Sequence, residues 1–424
     1  MNARSAKPPS SAHTRLGTRY REVRGLTEAL AAPLSEADLT VQSMDDASPG
    51  KWHLAHTTWF FEEFLLAPSQ PGYRAFSADY RYLFNSYYEH VGPRHPRPRR
   101  GLLTRPSLAD VLAYRRAVDE AMARLLEDEM PPAAASLVEL GLHHEQQHQE
   151  LLLTDVLHLL AQNPLHPAYR PAPPPAAPAG PAEAPAWLES SGGQVEVGHA
   201  GDGFAFDCEG PRHAVLLLPH ALASRPVSNA DWLDFMADGG YRRSTLWLSD
   251  GWARVQAEGW DSPLYWQERD GEWAQMGLHG LQPVDMGAPV SHISYFEADA
   301  FARWAGKRLP SEFEWENAAA GLPVAGNLLG SGRLRPVAAP AGDASRQFYG
   351  DVWEWTASAF LPYPRFRPAS GAVGEYNGKF MCGQFVLRGG SCVTPDGHLR
   401  PTYRNFFYPH QRWQFSGLRL ADDR

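Results

Sequence analysis

The chain has 424 residues, of which 43% are hydrophobic and 21% charged, as in a folded protein with room for two or three domains. Its net charge of −9 argues against a nucleic acid or an anionic membrane as a partner. No apolar run reaches the roughly 20 residues of a membrane span, the N-terminus carries no secretory apolar segment, and three cysteines form no disulfide framework. We therefore expect a cytoplasmic protein.

Four amphipathic helices are predicted after a disordered N-terminal segment, residues 1–13. Apolar residues recur at spacings of three and four in 15–34, 48–66, 107–129 and 133–164. Ser107, with Asp110 three residues later, is close to a capping box at the start of the third helix. Four long amphipathic helices predict an antiparallel four-helix bundle over residues 14–165.

The connection between the second and third helices, about residues 67 to 106, is long and irregular. Loops of this length are usually functional or disordered. Because this one is rich in tyrosine and arginine, we expect it to be functional.

The amino-acid composition of the chain changes after the helical part. Residues 166–186 are rich in proline and predict a semi-rigid linker. Residues 187–424 combine short segments, punctuated by glycine and proline, with most of the 14 tryptophans. This pattern is typical of an irregular α+β domain, with one clear helix predicted over 295–309.

The fourth predicted helix contains the run HEQQH at residues 144–148, which matches the pattern of zinc peptidases. Residues four apart on a helix lie about 40° apart on one face, so His144 and His148 can share a metal ion. A peptidase also needs Glu145 as a general base and a third ligand downstream. The chain continues there into the proline-rich linker, so the peptidase interpretation is poor.

A third ligand is available on the second predicted helix, where His53 and His56 lie about one turn apart. Facing helices of a bundle commonly supply ligands to an internal site. Three neutral imidazoles leave a divalent ion its full charge and several open positions for substrates. Spacing leaves open whether His53 or His56 is the third ligand, and imidazoles suit zinc as well as iron.

The run LAH ending at His56, the run HEQQHQE beginning at His144, and the terminal segment LRPTYRNFFYPHQRWQFSGLRLA together resemble the iron-dependent sulfoxide synthases of ergothioneine biosynthesis, the EgtB family. The resemblance covers nearly the whole chain. It implies an α plus α+β architecture, in which a DinB-like four-helix bundle precedes a C-type-lectin-like domain of the formylglycine-generating-enzyme (sulfatase-modifying) type. It also implies Fe(II) as the cofactor, bound by His56, His144 and His148.

Three motifs carry the resemblance of the second domain to the sulfatase-modifying type, namely PVSHISYFEADAFARWAGKRLPSEFEWENAA, DVWEWTAS and LRGGSC. A sulfatase-modifying oxidase would also need two copper-binding cysteines near its end, and Cys392 has no partner after it. That activity is therefore not expected.

The resemblance implies an oxygenase that uses O₂ to join the sulfur of cysteine or γ-glutamylcysteine to C2 of hercynine, Nα-trimethylhistidine, giving a sulfoxide. Branches that use γ-glutamylcysteine carry a charged residue just after an Asn-Trp pair. Here Asn405 is followed by Phe406 and Phe407, which favours free cysteine. The protein is thus expected to bind small molecules, without nucleic acid or membrane, and its oligomeric state is not predicted.

The resemblance assigns a catalytic role to a tandem tyrosine, Tyr87 and Tyr88, since a phenol can donate a proton to the reaction centre. It also places Asn405, Phe406 and Phe407 against the substrate. Aromatic faces suit a trimethylammonium group, which has no N–H to donate.

Arginines cluster in the same loop, and such a cluster can bind a substrate carboxylate. The candidates are Arg94, Arg97 and Arg100. Gln147, inside the metal motif, is a candidate for orienting the bound imidazole. Neither the proton-donating tyrosine nor the carboxylate-binding arginine is singled out by the sequence.

Two other functions stay open. Sister sulfoxide or selenium synthases of the ovothiol or selenoneine type share the iron site. A non-catalytic lectin-like binding protein would use the second domain, but it would leave the three histidines unexplained.

Overall fold

The four amphipathic segments predicted near the N-terminus form helices in a computed structural model that describes residues 11–172, 184–339 and 347–424. The helices of this part are α1 Ser11–Ala31, α2 Glu36–Thr40, α3 Gly50–Phe61, α4 Ala67–Ser69, α5 Tyr80–Leu83, α6 Leu108–Glu127 and α7 Pro132–Ala161. The four long ones are α1, α3, α6 and α7. The capping box expected at Ser107 is present, with Asp110 returning a hydrogen bond to the backbone of Ser107.

Helix α3 is buried on all sides, since every residue from Gly50 to Phe61 is buried. The amphipathic pattern predicted for residues 48–66 is therefore not what this helix shows: its sequence, GKWHLAHTTWFF, is apolar or aromatic around most of the helix, as in an interior helix. A π-helical turn, Glu62–Leu66, continues it. The two histidines of α3 consequently lie in the interior of the bundle.

The long connection after α3 folds back over the N-terminal half of that helix. The carbonyl of Leu83 accepts a hydrogen bond from Nε1 of Trp52 at 3.2 Å, and the carbonyl of Leu103 accepts one from Nζ of Lys51 at 3.0 Å. A 3-10 helix, Arg97–Leu102, lies within this connection. The loop is therefore ordered against the helix that carries His53 and His56.

Two compact units make up the chain, residues 1–159 and 160–424. Residues 1–10, 173–183 and 340–346 lie outside the described residues. The remainder of the N-terminal segment predicted to be disordered, residues 11–13, belongs to helix α1. The start of the predicted linker packs onto the second unit: Tyr169 is buried, and the backbone N–H of Arg170 donates to the carbonyl of Leu278 at 3.1 Å.

The second unit contains short strands and short helices. Its strands are β1 Trp187–Ser190, β2 Gly193–Val197, β3 His213–Leu217, β4 His220–Ala223, β5 Trp266–Arg269, β6 Glu272–Gly277, β7 Gly280–Pro283, β8 Trp353–Ala359, β9 Phe385–Arg388, β10 Asn405–Phe407, β11 Ser416–Leu418 and β12 Ala421–Asp423. Its helices are α8 Asn229–Ala237, α9 Ser249–Glu258, α10 Tyr295–Trp304 and α11 Glu312–Ala319. The predicted helix 295–309 thus ends five residues early at Trp304, and three further helices accompany it.

Four small sheets organise these strands, in the orders β1-β4-β12, β10-β9-β8-β11, β2-β3 and β5-β6-β7. The pairing is antiparallel except between β8 and β11, which run parallel. Strand β10 lies at the edge of the second of these sheets, with Phe406 opposite Val386 and Phe407 opposite Phe385.

Three sequence motifs of the second unit meet at one buried ion pair. Arg419, from SGLRLA, donates to both carboxylate oxygens of Glu354, from DVWEWTAS, at 2.9 and 2.8 Å. Nε1 of Trp315, from SEFEWEN, donates to the same carboxylate at 2.9 Å. Because a buried charge is costly unless it is paired, these motifs specify the core of this unit. In the described parts of the chain, no helix has the length and apolarity to cross a membrane.

Candidate metal centre

Three histidines from two helices of the first unit form a cluster. His56 lies on α3, and His144 and His148 lie one turn apart on α7. Each offers one ring nitrogen, and these three atoms lie within 4.8 Å of one another. Nε2 of His56 is 3.2 Å from Nε2 of His144. The helical spacing therefore brings together the three residues assigned as ligands from the sequence.

The ring of His56 is fixed by its neighbours. Its Nδ1–H donates to the carbonyl of Phe84 at 2.6 Å, and because a carbonyl can only accept, the lone pair lies on Nε2. Trp52 stacks on one side of the imidazole at 4.5 Å with an interplanar angle of 12°, and Trp59 packs at 5.5 Å and 19°. The lone pair of His56 is thus directed toward His144.

The three imidazoles are held neutral. Burial disfavours the charged form and lowers the pKa of His144 to about 3. Burial also lowers the pKa of His56 and His148 well below the usual range, and the nearby His144 ring lowers both further. Neutral imidazole is the form that binds a metal ion, so all three are ready to bind one at neutral pH.

The donor set fits a divalent metal ion. Two imidazole nitrogens at right angles, each about 2.1 Å from one ion, lie about 3.0 Å apart. The 3.2 Å between the Nε2 atoms of His56 and His144 is close to this value. Three histidines bound on one side of an ion leave further positions for substrates.

Glu145 lies on a different face of α7 from the cluster. Its carboxylate accepts from Arg24 at 2.9 Å, from Arg115 at 2.5 Å and from Oγ1 of Thr27 at 2.6 Å. Burial raises the pKa of this carboxyl, but the two arginines and the hydrogen bonds outweigh burial and lower the pKa to about 2. A carboxylate held in this way cannot serve as the base of a zinc peptidase, and the structure gives that interpretation no support.

His53 lies beside the cluster, behind His148. Its Nδ1 is 2.8 Å from Nδ1 of His148, and its Nε2 is 3.0 Å from Oδ2 of Asp155. Both ring nitrogens of His53 are therefore engaged away from the other two histidines. Of the two candidates that spacing left open, the structure places His56 in the cluster.

Comparisons with known proteins match both units. The family model of the DinB superfamily matches residues 19–152, and that of the sulfatase-modifying factor enzyme 1-like domain matches residues 175–338 and 332–424. The chain is 35% identical over 418 residues to the hercynine oxygenase of Mycobacterium tuberculosis, covering 92% of this chain and 94% of that protein. It is 30% identical over 279 residues to the formylglycine-generating enzyme of Streptomyces coelicolor, covering 55% of this chain and 87% of that enzyme.

The chain belongs to the hercynine oxygenase family. It is therefore an oxygenase, and the predicted architecture of a DinB-like bundle followed by a formylglycine-generating-enzyme-like domain is confirmed. The family also agrees with a metal cofactor at the histidine cluster.

The two tyrosines predicted to be catalytic lie in the ordered loop after α3. Tyr88 is fully buried, and its ring is 5.6 Å from that of Trp59, which packs on His56. Tyr87 is half-buried and stacks on Tyr88 at 4.6 Å. The aromatic group around His56 thus extends to both tyrosines.

The three predicted arginines differ sharply in burial. Arg94 and Arg97 are exposed, Arg94 pairing with Glu89 and Arg97 donating to a backbone carbonyl. Arg100 is only 4% exposed, and its guanidinium carbon lies 3.4 Å from the centre of the Trp52 ring that stacks on His56. The structure thus brings one of the three next to the residues that surround the cluster.

The predicted substrate residues of strand β10 are divided between the two faces of its sheet. Side chains alternate along a strand, so Asn405 and Phe407 share one face and Phe406 points to the other. Phe406 stacks on Phe360 at 4.0 Å, whereas Phe407 meets Trp413 edge-on at 5.8 Å. All three are half-buried. Gln147, also half-buried, is on α7 next to His148.

Sequence reasoning missed three residues that support the cluster. Trp52 and Trp59 hold the ring of His56, and Asp155 binds His53. Asp155 lies seven residues after His148, which is about two helical turns, so both are on one face of α7. The seven-residue spacing between His148 and Asp155 could therefore have indicated Asp155 from the sequence.

Proposed function

We propose that the protein is an Fe(II)- and O₂-dependent sulfoxide synthase of ergothioneine biosynthesis, which joins the sulfur of cysteine to C2 of hercynine. The observation that carries the proposal is the cluster of neutral His56, His144 and His148 in a chain of the hercynine oxygenase family. In the overall balance, the thiol S–H, the imidazole C2–H and O₂ give the C–S(=O) product and one water.

Fe(II), when bound by the three imidazoles, would mediate the transfer of electrons from the two substrates to O₂ and would offer a position for the thiolate. Because all three ligands are neutral, the charge of the ion is left to lower the pKa of the substrate thiol. The chain then needs no strong base for that step. This agrees with the fixed position of Glu145 between Arg24 and Arg115.

Arg100 binds the carboxylate of cysteine in this proposal. One N–H of its guanidinium donates to Oγ of Ser48 at 2.9 Å, but its Nε–H has no hydrogen-bond partner among the described residues. Burial and the nearby Arg97 lower the pKa of Arg100 well below its usual range, and the carboxylate of Asp155 opposes this only in part. Because a buried cation is costly, a substrate carboxylate beside Arg100 would offset part of that cost.

Asn405 and Phe407 bind hercynine in this proposal, on the sheet face that also carries Phe385 of the neighbouring strand β9. The trimethylammonium group has no N–H, so its binding relies on aromatic faces, and Phe407 with Trp413 offers such a surface. Phe406 acts through packing on Phe360. Gln147 orients the imidazole of the substrate, since its amide both donates and accepts.

Tyr87 or Tyr88 supplies a proton to the reaction centre. Two observations support this role, the stacking of the two phenol rings and the contact of Tyr88 with Trp59 beside His56. The protons released from the thiol and from C2 are the ones that leave in water, so a phenol at this place has a proton to donate and one to recover.

The test is an aerobic assay of the full-length protein, loaded with Fe(II) under anaerobic conditions. Hercynine with cysteine should give hercynylcysteine sulfoxide and consume one O₂ per product, and His144→Ala should give none. The comparison substrates are histidine, γ-glutamylcysteine and a selenosugar. Turnover of histidine in place of hercynine would overturn the proposal in favour of an ovothiol-type reaction. Turnover with γ-glutamylcysteine or the selenosugar alone would overturn cysteine as the thiol.

A further inference from the structure

A row of hydrogen bonds leads outward from the histidine cluster. It runs from His148 through His53 to Asp155, with 2.8 Å between the Nδ1 atoms of the two histidines and 3.0 Å from Nε2 of His53 to Oδ2 of Asp155. The backbone N–H of Ser48 donates to the same carboxylate oxygen at 2.8 Å. His53 and Asp155 are 2% and 6% exposed, so water competes little for these bonds.

The direction of each bond in the row follows from the chemistry of Asp155. Its carboxylate only accepts, so the proton of a neutral His53 is on Nε2 and donates to Asp155. The Nδ1 of His53 then carries a lone pair and accepts from Nδ1–H of His148. His148 is left with its lone pair on Nε2, the remaining atom through which it can bind a metal ion.

This arrangement matters because a neutral imidazole has two tautomers. His56 has its proton fixed on Nδ1 by the carbonyl of Phe84, a backbone group that no side-chain substitution removes. His148 depends instead on two side chains, which substitution can remove singly. Partners of this outer kind fix the tautomer and ring orientation of metal ligands in many proteins.

We propose that His53 and Asp155 are positioning residues, which hold His148 in the Nδ1–H tautomer and thereby set the metal affinity and geometry of the cluster. Because both ring nitrogens of His53 are engaged by His148 and Asp155, neither residue is a metal ligand in this proposal. The inference rests on the proposed metal site at His56, His144 and His148. It is independent of the identity of the thiol and of the imidazole substrate.

The experiment measures Co(II) binding to the metal-free full-length protein, by competition with a chelator and by the visible ligand-field absorption. His53→Phe keeps the ring but removes both hydrogen bonds, and we expect it to weaken Co(II) binding about 10- to 100-fold and to shift the absorption bands. Asp155→Asn keeps the shape and removes the charge, so its effect should have the same sign and be smaller. His53→Gln has both an acceptor and a donor and should recover part of the affinity.

His158→Phe is the matched control, on the same helix. Nδ1 of His158 is 2.7 Å from Oγ of Ser43, and this variant should bind Co(II) as the wild type does. A second readout uses the Zn(II)-loaded protein labelled with ¹⁵N at histidine, in which the Nδ1–H of His148 should exchange with water faster in His53→Phe than in the wild type.

The outcomes separate this inference from the proposed function. Wild-type Co(II) affinity and spectrum in both His53→Phe and Asp155→Asn would overturn the positioning role while leaving the metal site in place. If His53→Phe does not fold, Asp155→Asn decides alone. A wild-type protein that binds no Co(II) would overturn the metal site and the inference together.

Discussion

Among single side chains, we expect Tyr87 and Tyr88 to decide which of two products the thiol forms. The proposed reaction gives the sulfoxide and water, whereas simple dioxygenation would place both atoms of O₂ on sulfur and give cysteine sulfinic acid. A phenol within hydrogen-bond reach, about 3 Å, favours the first outcome by supplying a proton. The tandem tyrosine is therefore where product identity is expected to be set.

Replacing Tyr87 or Tyr88 with phenylalanine should leave metal content and substrate binding unchanged. Because general acid catalysis contributes about 100-fold or more, one of the variants should slow sulfoxide formation by roughly that factor and raise the share of cysteine sulfinic acid. Product ratios from the two single variants and the double variant, measured by mass spectrometry, identify the donor. Wild-type ratios and rates in all three would leave both residues with a packing role.

Arg100 is the residue expected to select the amino-acid thiol. Arg100→Met removes the cation and keeps a long apolar side chain on Trp52, so KM for cysteine should rise about 10- to 100-fold, the equivalent of a charge-assisted hydrogen bond. KM for hercynine should not change. Cysteamine, which lacks the carboxylate, should be used equally well by the variant and the wild type.

Arg94→Met is the matched control for this prediction, because Arg94 is exposed and paired with Glu89. It should change KM for cysteine less than twofold, as expected for a surface ion pair worth less than about 1 kcal/mol. An Arg94 variant with the larger effect would move the carboxylate site away from Arg100.

The sequence predicts some of these side-chain roles and not others, for physical reasons. Spacing places His144 and His148 on one face because four residues make about one helical turn. It does not distinguish His53 from His56, because α3 is buried on every side and no apolar stripe shows which way it is rotated. The partners of the two rings, Asp155 and the carbonyl of Phe84, decide that choice.

At the level of whole elements, α7 presents two polar faces to the interior. One carries His144 and His148, and the other carries Glu145 with Gln149 one turn later. Nε2 of Gln149 donates to the carbonyl of Val23 at 2.8 Å, so this second face binds α1. A motif that reads as one catalytic unit in the sequence is thus divided between a metal site and a structural contact.

Glu145→Gln tests this division. It removes one carboxylate partner from each of the buried Arg24 and Arg115, which keep Asp119 and Glu28, so the free energy of unfolding should fall by about 3 kcal/mol. Urea unfolding of the metal-free protein measures it. The control Glu139→Gln removes a partly exposed partner of Arg19 and should cost less than about 1 kcal/mol. An inactive but fully stable Glu145→Gln would instead return Glu145 to a catalytic role.

Strand β10 gives a second test at the scale of elements. Side chains alternate between the two faces of the sheet, so the adjacent Phe406 and Phe407 point to opposite faces. Phe407→Ala should raise KM for hercynine about tenfold while changing KM for cysteine little, because a desolvated cation–π contact is worth up to about 2 kcal/mol. Phe406→Ala removes the stack on Phe360 and should lower stability with little change in either KM. Equal changes in both KM values for Phe407→Ala would indicate a folding role.

The alternation of β10 was not predictable from the run NFFYPHQRW. A strand of three residues shows no repeating pattern of apolar and polar positions, so the facing of each side chain depends on the register with β9. The long motifs of the second domain were more informative, because they form its core and hence indicate its fold.

At the scale of the whole molecule, the three candidate metal ligands and most of the tryptophans lie in different units of the chain. The three ligands lie within residues 1–159. Trp52 and Trp59 are the two tryptophans before residue 160, so the other 12 of the 14 lie in the second unit. Intrinsic fluorescence therefore reports mainly on the second unit, and helical circular dichroism reports strongly on the first, whose α7 alone has 30 residues.

Removal of the metal ion should therefore lower the stability of the first unit, residues 1–159, and leave that of the second unit unchanged. A ligand that binds the folded state adds about 2.7 kcal/mol at 100 times its Kd, and for a unit of this size each kcal/mol raises Tm by about 2–4 °C. Saturating Co(II) should thus raise the circular dichroism midpoint by about 5–10 °C and leave the fluorescence midpoint nearly unchanged. In His144→Ala neither midpoint should move. Equal shifts of both midpoints in the wild type would show that the two units unfold as one, and no shift would argue against the metal site itself.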